Sequence, residues 1–168
     1  MPTDAQALLA TPLGPLALQG SDAGLRSALF LPDAPAVPAP SPTPPAQVPA
    51  CLREAYRQLA AYFGRELRAF DVPVDLTAGT EFQRRVWAAL PTVAYGRTAS
   101  YLDIARQLGS PAAVRAVGAA NGQNPLTIIW PCHRIIGASG QLTGYAGGLA
   151  RKQWLLEFER PAVQGSLF

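Results

Sequence analysis

A chain of 168 residues, 49% of them hydrophobic, is long enough for one large domain or two small ones built on a real core, and no run in it approaches the roughly 20 apolar residues of a membrane helix. The net charge of +3 is unevenly spread: residues 1–80 carry five arginines against seven acids, residues 81–160 nine Lys or Arg against four, so an anionic partner is expected on the C-terminal half. Two cysteines and one histidine are too few for a disulfide framework or a four-ligand zinc site; no metal or other cofactor is expected, and Asp4, where a signal peptide would be basic, points to the cytoplasm.

In chain order, ALLATPLGPLALQG and LRSALFLP alternate apolar with small or polar residues around Gly20-Ser21-Asp22, which predicts a hairpin or meander. Residues 32–49 hold too much proline for a helix or a central strand and read as a loop or linker. Leu52, Tyr56, Leu59 and Phe63 form an apolar helical stripe that Gly64 can end, and FDVPVDL reads as a last edge strand. The spacing places a domain boundary near residue 78.

The second part opens at Thr80, an N-cap candidate for a helix with Phe82, Val86, Trp87 and Leu90 on one face. SYLDIARQLG, capped by Ser100, and a helix from Ala112 to Asn121, opened near Pro111, flank a Gly-Ser-Pro turn. This pair fits an ordinary αα-hairpin or a DNA-reading helix-turn-helix. Its second helix is almost wholly Ala, Val and Gly with one long polar side chain, Arg115; such a surface suits the narrow minor groove better than the base-reading major groove.

IIWPCHRIIG then holds Cys132 beside His133, the sole imidazole. A cysteine attacks as its thiolate, which a neighbouring base favours. Consecutive residues of a regular element point apart, so the pair can be mere core packing, but Pro131 favours a turn in which both side chains face one pocket.

From about Thr80 to Glu159, the array RAVG…N.NP…PCHR…G.L.GY.GGL..K..LL..E resembles the catalytic domain of the O6-alkylguanine-DNA alkyltransferases, the methylated-DNA–protein-cysteine methyltransferases. The first third is similar more loosely. The resemblance implies an α+β fold: an N-terminal ribonuclease-H-like α/β domain over 1–78, a mostly helical helix-turn-helix domain over 79–160 carrying the active site, and a tail over 161–168. It implies DNA repair by one irreversible transfer of the alkyl group from O6 of a flipped-out guanine, and perhaps from O4-alkylthymine, to Cys132.

Under the same resemblance, His133 is the base acting through a water, Glu159 orients it, Tyr101 crowds the target phosphate and donates toward the guanine, and Asn124 ties the recognition helix to the active-site turn. Arg115 fills the space left by the flipped nucleotide, with Ala113, Val114, Ala116 and Gly118 on the minor-groove face. Tyr145, Ala146, Gly147, Lys152 and Trp130 surround the guanine pocket. Ala146 stands where some members have a serine, Trp130 where an aliphatic residue is usual, and Thr127 where some have a proline.

Double-stranded alkylated DNA is the expected partner of an expected monomer. The end of PAVQGSLF, with Gln164, Leu167 and Phe168, is similar to peptides by which bacterial DNA enzymes bind the sliding clamp. Two other classes remain open: a DNA-binding damage sensor or regulator without chemistry, and a cysteine hydrolase.

Overall fold

The alternating residues of the first third close into an antiparallel meander in the computed structural model of the chain, which describes residues 4–32 and 40–161. Strands β1 (Ala5–Leu9), β2 (Leu16–Ser21) and β3 (Gly24–Phe30) lie in the order β1-β2-β3. A period of two buries Ala7 and Leu9 on β1 and Leu16 and Leu18 on β2, whereas on β3, beyond a register shift at Gln19/Gly20, the buried Leu25 and Ala28 are three residues apart. At the β2–β3 turn Gly24 adopts φ +140, and a Cβ there would lie 2.5 Å from the Pro73 carbonyl oxygen, so only glycine fits.

Helix α1 (Arg53–Phe63) covers this sheet unit, but its buried stripe is turned from the predicted one. Leu52, Ala55, Leu59 and Tyr62 are buried, while Tyr56 and Phe63 are half-buried and the Tyr56 hydroxyl donates to the Thr43 carbonyl at 2.8 Å. Gly64 closes the helix as expected, its N–H reaching Ala60 O at 2.9 Å. The proline-rich segment is no bare linker in its described part: Thr43 bonds Leu8 of β1 through both its backbone N–H and its hydroxyl.

FDVPVDL does not form the expected edge strand. Only Val74 makes a bridge, parallel to Leu25. Pro73 has no N–H to give and the Asp71 backbone pairs with the buried Gln58 amide, so the pairing is confined to the Leu25 N–H donating to Pro73 O and the Asp75 N–H donating to Leu25 O, both at 2.9 Å, with the Asp75 carboxylate accepting from Ser21 and Arg26.

By its contacts the chain forms two units, one running to Glu81 and taking in Asn124–Trp130, the other comprising Phe82–Gln123 and the chain from Pro131 onward. The 124–130 excursion adds a parallel bridge from Leu126 to Ala28 of β3, bonded on both sides through Pro125 O and the Thr127 N–H. Within it Ile128, 1% exposed, has φ +76, a strained backbone for a β-branched residue.

The second unit is mostly helical. Helix α2 (Glu81–Ala89) buries Val86 and Trp87, and Pro91 turns its end into a 3-10 turn at Leu90–Thr92. The short strand β4 (Ala99–Ser100) leads into α3 (Tyr101–Gln107), where Ser100 and Asp103 form a reciprocal capping box. After a 3-10 turn at Pro111–Ala113, α4 spans Val114–Gly122, starting two residues later than expected. Strand β5 (Ile135–Ile136) pairs with β4 in parallel, and α5 (Leu149–Glu159) completes the unit. The result is an α+β chain.

Candidate active site

The β4–β5 pairing, Ala99 to Ile135 and Ser100 to Ile136, brings two sequence-distant features together. Tyr101 follows β4 directly, and the 3-10 turn Cys132–Arg134 precedes β5 directly. Pro131 shapes that turn, its carbonyl accepting from the Arg134 N–H at 3.0 Å. Cys132 and His133 are both buried, 5% and 0% exposed.

His133 Nε2 meets Glu159 Oε1 at 2.6 Å. A carboxylate only accepts, so this contact puts the proton of the neutral ring on Nε2 and leaves Nδ1 with its lone pair. Nδ1 is buried and has no hydrogen-bond partner in the protein. Burial dominates in lowering the His133 pKa; the bond and charge of Glu159 work against this, and the charges of Arg134 and Lys152 add to it. The ring is therefore a neutral base at pH 7.

Arg134 is the residue sequence reading passed over. It is 5% exposed and grips Glu159 with Nε to Oε2 at 2.9 Å and Nη2 to Oε1 at 2.9 Å. Its Nη1 donates to the Val93 carbonyl at 2.8 Å, and its guanidinium lies 5.7 Å from the centre of the Tyr95 ring. Burial pushes the Glu159 carboxyl up, but the hydrogen bonds and charges of His133 and Arg134 outweigh it and hold the group down at about 2. The signal available in the sequence was an acid destined for burial beside a histidine, which needs a cation to stay ionised.

Lys152, on α5, is fully buried. Its ammonium donates to the carbonyls of Ile135 at 2.5 Å and Thr143 at 2.8 Å, and lies 3.5 Å from the Tyr101 hydroxyl. Burial lowers its pKa to about 8, partly opposed by the nearby Cys132. The Tyr101 hydroxyl donates to the same Thr143 carbonyl at 3.0 Å. Tyr101 and Lys152 thus hold the loop that carries Tyr145.

Tyr145 has a buried hydroxyl with no hydrogen-bond partner, its pKa raised first by burial and then by the charge of Cys132. A Cβ at Gly147 would come within 2.9 Å of the Tyr145 ring, so the ring needs that glycine beneath it. Ala146 is exposed.

On α4 and the 3-10 turn before it the predicted face is open in part: Arg115 and Ala116 are exposed, Ala113, Val114 and Gly118 half-buried, and Ala119, not singled out from sequence, is exposed as well. Asn124 and Trp130 lie in the 124–130 excursion of the first unit. There Asn124 Nδ2 donates to the Trp130 carbonyl at 2.7 Å and Oδ1 accepts from the Leu126 N–H at 2.9 Å. Gln164, Leu167 and Phe168 lie outside the described residues. Among the described residues, no group of three or more His, Cys, Asp or Glu side chains could hold a metal ion, and no helix is long and apolar enough to cross a membrane.

Residues 81–161 match the family described as 6-O-methylguanine DNA methyltransferase, DNA binding domain, and residues 5–76 its ribonuclease-like domain. A methylated-DNA–protein-cysteine methyltransferase of Mycolicibacterium paratuberculosis is 51% identical over 157 residues, 94% of this chain and 93% of its own. The chain belongs to this family. A Methanosarcina acetivorans methylated-DNA–protein-cysteine methyltransferase is 46% identical over 91% of this chain and 96% of its own length. Among solved structures, Mycobacterium tuberculosis O6-methylguanine methyltransferase superposes with a TM-score of 0.79 at 46% identity, covering 96% of this chain and 97% of that one. Mycobacterium tuberculosis OGT in complex with DNA gives 0.78 at 49% identity over 92% of both chains. The two-domain fold, ribonuclease-like then helical, is the one expected from the sequence.

Proposed function

We propose that Cys132 is the alkyl acceptor of this methylated-DNA–protein-cysteine methyltransferase, a DNA repair enzyme that takes the alkyl group from O6 of guanine onto its own thiol. The observation that carries this is the buried relay of Cys132 beside a neutral His133 whose Nε2 is tied to Glu159 at 2.6 Å. Through a bridging water, Nδ1 takes the thiol proton while Glu159 stabilises the imidazolium that forms. Sγ attacks the alkyl carbon, the C–O6 bond breaks, and its electron pair stays on the guanine, which takes a proton. The S-alkyl thioether is not hydrolysed, so each molecule reacts once.

Guanine O6 lies inside the duplex, so the nucleotide is flipped out to reach Sγ. Tyr101 presses on the target phosphate and its hydroxyl exchanges the Thr143 carbonyl for the guanine. Tyr145, Gly147 and Lys152 wall the base, with the backbone N–H at Ala146 serving O6; Asn124 fixes the Trp130 carbonyl in the segment that leads into Pro131. Ala113, Val114, Ala116 and Gly118 approach the minor groove, and Arg115 enters the vacated stack. Incubation with a duplex containing O6-methylguanine tests the reading: lost methyl supports it, whereas DNA binding with the methyl left on the guanine indicates the damage-sensor alternative.

Arg115 supplies a sharper expectation. Flipping costs a few kcal/mol, and a plug in the stack offsets part of it. Arg115→Ala is expected to slow repair of paired O6-methylguanine by about tenfold or more while leaving reaction with the free base nearly unchanged. Equal slowing on both substrates would make Arg115 a structural residue.

The family reaction needs no second protein and the chain acts as a monomer in the cytoplasm. A clamp contact through Gln164, Leu167 and Phe168 is supported by the Q-x-x-L-F pattern of the tail, in which a Leu-Phe pair can anchor in an apolar pocket. Deleting residues 164–168 is expected to abolish capture by a bacterial sliding clamp and to spare repair of a free oligonucleotide. Full-length protein with no clamp affinity at tens of micromolar, about the range of a lone peptide anchor, would end the idea.

A further inference from the structure

Asn121 sits in the last turn of α4 and is 2% exposed. Its Nδ2 donates to the carbonyl of Cys132 at 3.2 Å. The same carbonyl takes the N–H of Ile135, which closes the 3-10 turn, so both of its lone pairs are engaged. Asn121 Oδ1, by contrast, is buried with no hydrogen-bond partner. A buried orphan acceptor costs more than one neutral hydrogen bond of this length returns. On stability alone an apolar side chain of similar size would serve as well or better.

What Asn121 does provide is geometric. Arg115 lies near the start of α4 and Asn121 at its end. That end is also pinned by Trp87, whose Nε1 donates to the Ala120 carbonyl at 2.8 Å. The amide of Asn121 joins the anchored helix to the backbone of the cysteine.

We infer that Asn121 is a positioning residue for the nucleophile, clamping the Cys132 carbonyl to α4 so that Sγ is held in its attacking direction. The inference rests on the reading of Cys132 as acceptor. Asn121 touches neither substrate nor the reacting atoms; it acts through the turn. Displacing a reacting group by about 1 Å can cost on the order of a hundredfold in rate.

The test is single-turnover transfer by the full-length protein from an O6-methylguanine duplex, over a range of DNA concentrations, for wild type, Asn121→Leu and Asn121→Asp. Leu removes the donor together with the orphan acceptor. Asp keeps the size and sets a carboxyl group against the Cys132 carbonyl, and it is the variant to read should Leu fail to fold. The limiting rate is expected to fall about ten- to hundredfold, with the half-saturating DNA concentration within about twofold of wild type and the Leu variant melting no lower. A wild-type limiting rate in either folded variant would overturn the inference, as would a rate loss matched by an equal loss of DNA affinity. Wild-type protein without transfer would instead sink the assignment of Cys132, which keeps the two failures apart.

Discussion

Cys132→Ala is expected to leave no measurable alkyl transfer from O6-methylguanine DNA while retaining DNA affinity within about twofold of wild type. Alanine deletes only Sγ, and the thioether cannot form without it. The surrounding relay survives the change, because the Glu159 contacts with His133 and Arg134 do not involve the thiol. Cys51→Ala is expected to transfer at the wild-type rate. Cys51 is half-buried in the 3-10 turn Ala50–Leu52 of the first unit, and the chain's one histidine is His133. Transfer kept by the Cys132 variant and lost in a folded Cys51 variant would reverse the assignment. Single-turnover rates and a DNA mobility shift on both variants check it.

Glu159→Gln is expected to damage both stability and chemistry. The carboxylate neutralises Arg134 and holds the proton of His133 on Nε2. Its replacement leaves a buried guanidinium without a counter-charge, a loss on the order of 3–5 kcal/mol. The amide can also present its NH2 to Nε2, which favours the tautomer with the proton on Nδ1 and removes the base from the thiol's side. Urea unfolding should show the stability loss and transfer kinetics a fall well beyond it; near-wild-type values in both would contradict the relay.

The same carboxylate sets an acid limit. Its folded-state pKa of about 2 lies below the ordinary 4.5, so its stabilisation is complete above that ordinary value and is lost as the pH falls from 4.5 toward 2. His133 acts in the same direction from higher pH, because its lowered pKa makes protonation below about 6.5 favour the unfolded chain. Thermal melts from pH 7 to pH 3 are expected to fall throughout, and to fall less steeply at the acid end in Glu159→Gln.

The parts of the fold set by local rules were legible in the sequence. Period-two alternation marked the meander, Ser100 marked the start of α3, and Gly64 the end of α1. Long-range partners were not. FDVPVDL has strand composition, but Pro73 offers no N–H and the Asp71 backbone is committed to the Gln58 side chain, 13 positions away. No periodicity foretold that Asn124–Trp130 would join the first unit through Ala28. In the site, the motif drew attention to Cys132, His133, Glu159 and Tyr101. Arg134 and Asn121 went unremarked because their importance comes from burial and from backbone carbonyls at Val93 and Cys132, which side-chain identity does not advertise.

The central claim, irreversible capture of the alkyl group by one named thiol, is tested most directly by intact mass and peptide mapping after reaction with a duplex containing O6-methylguanine. The account predicts a gain of one methylene per molecule, located on Cys132, that persists after the DNA is removed and does not exceed one equivalent. An unchanged mass with DNA still bound, or a methyl group found on any other residue, would contradict it.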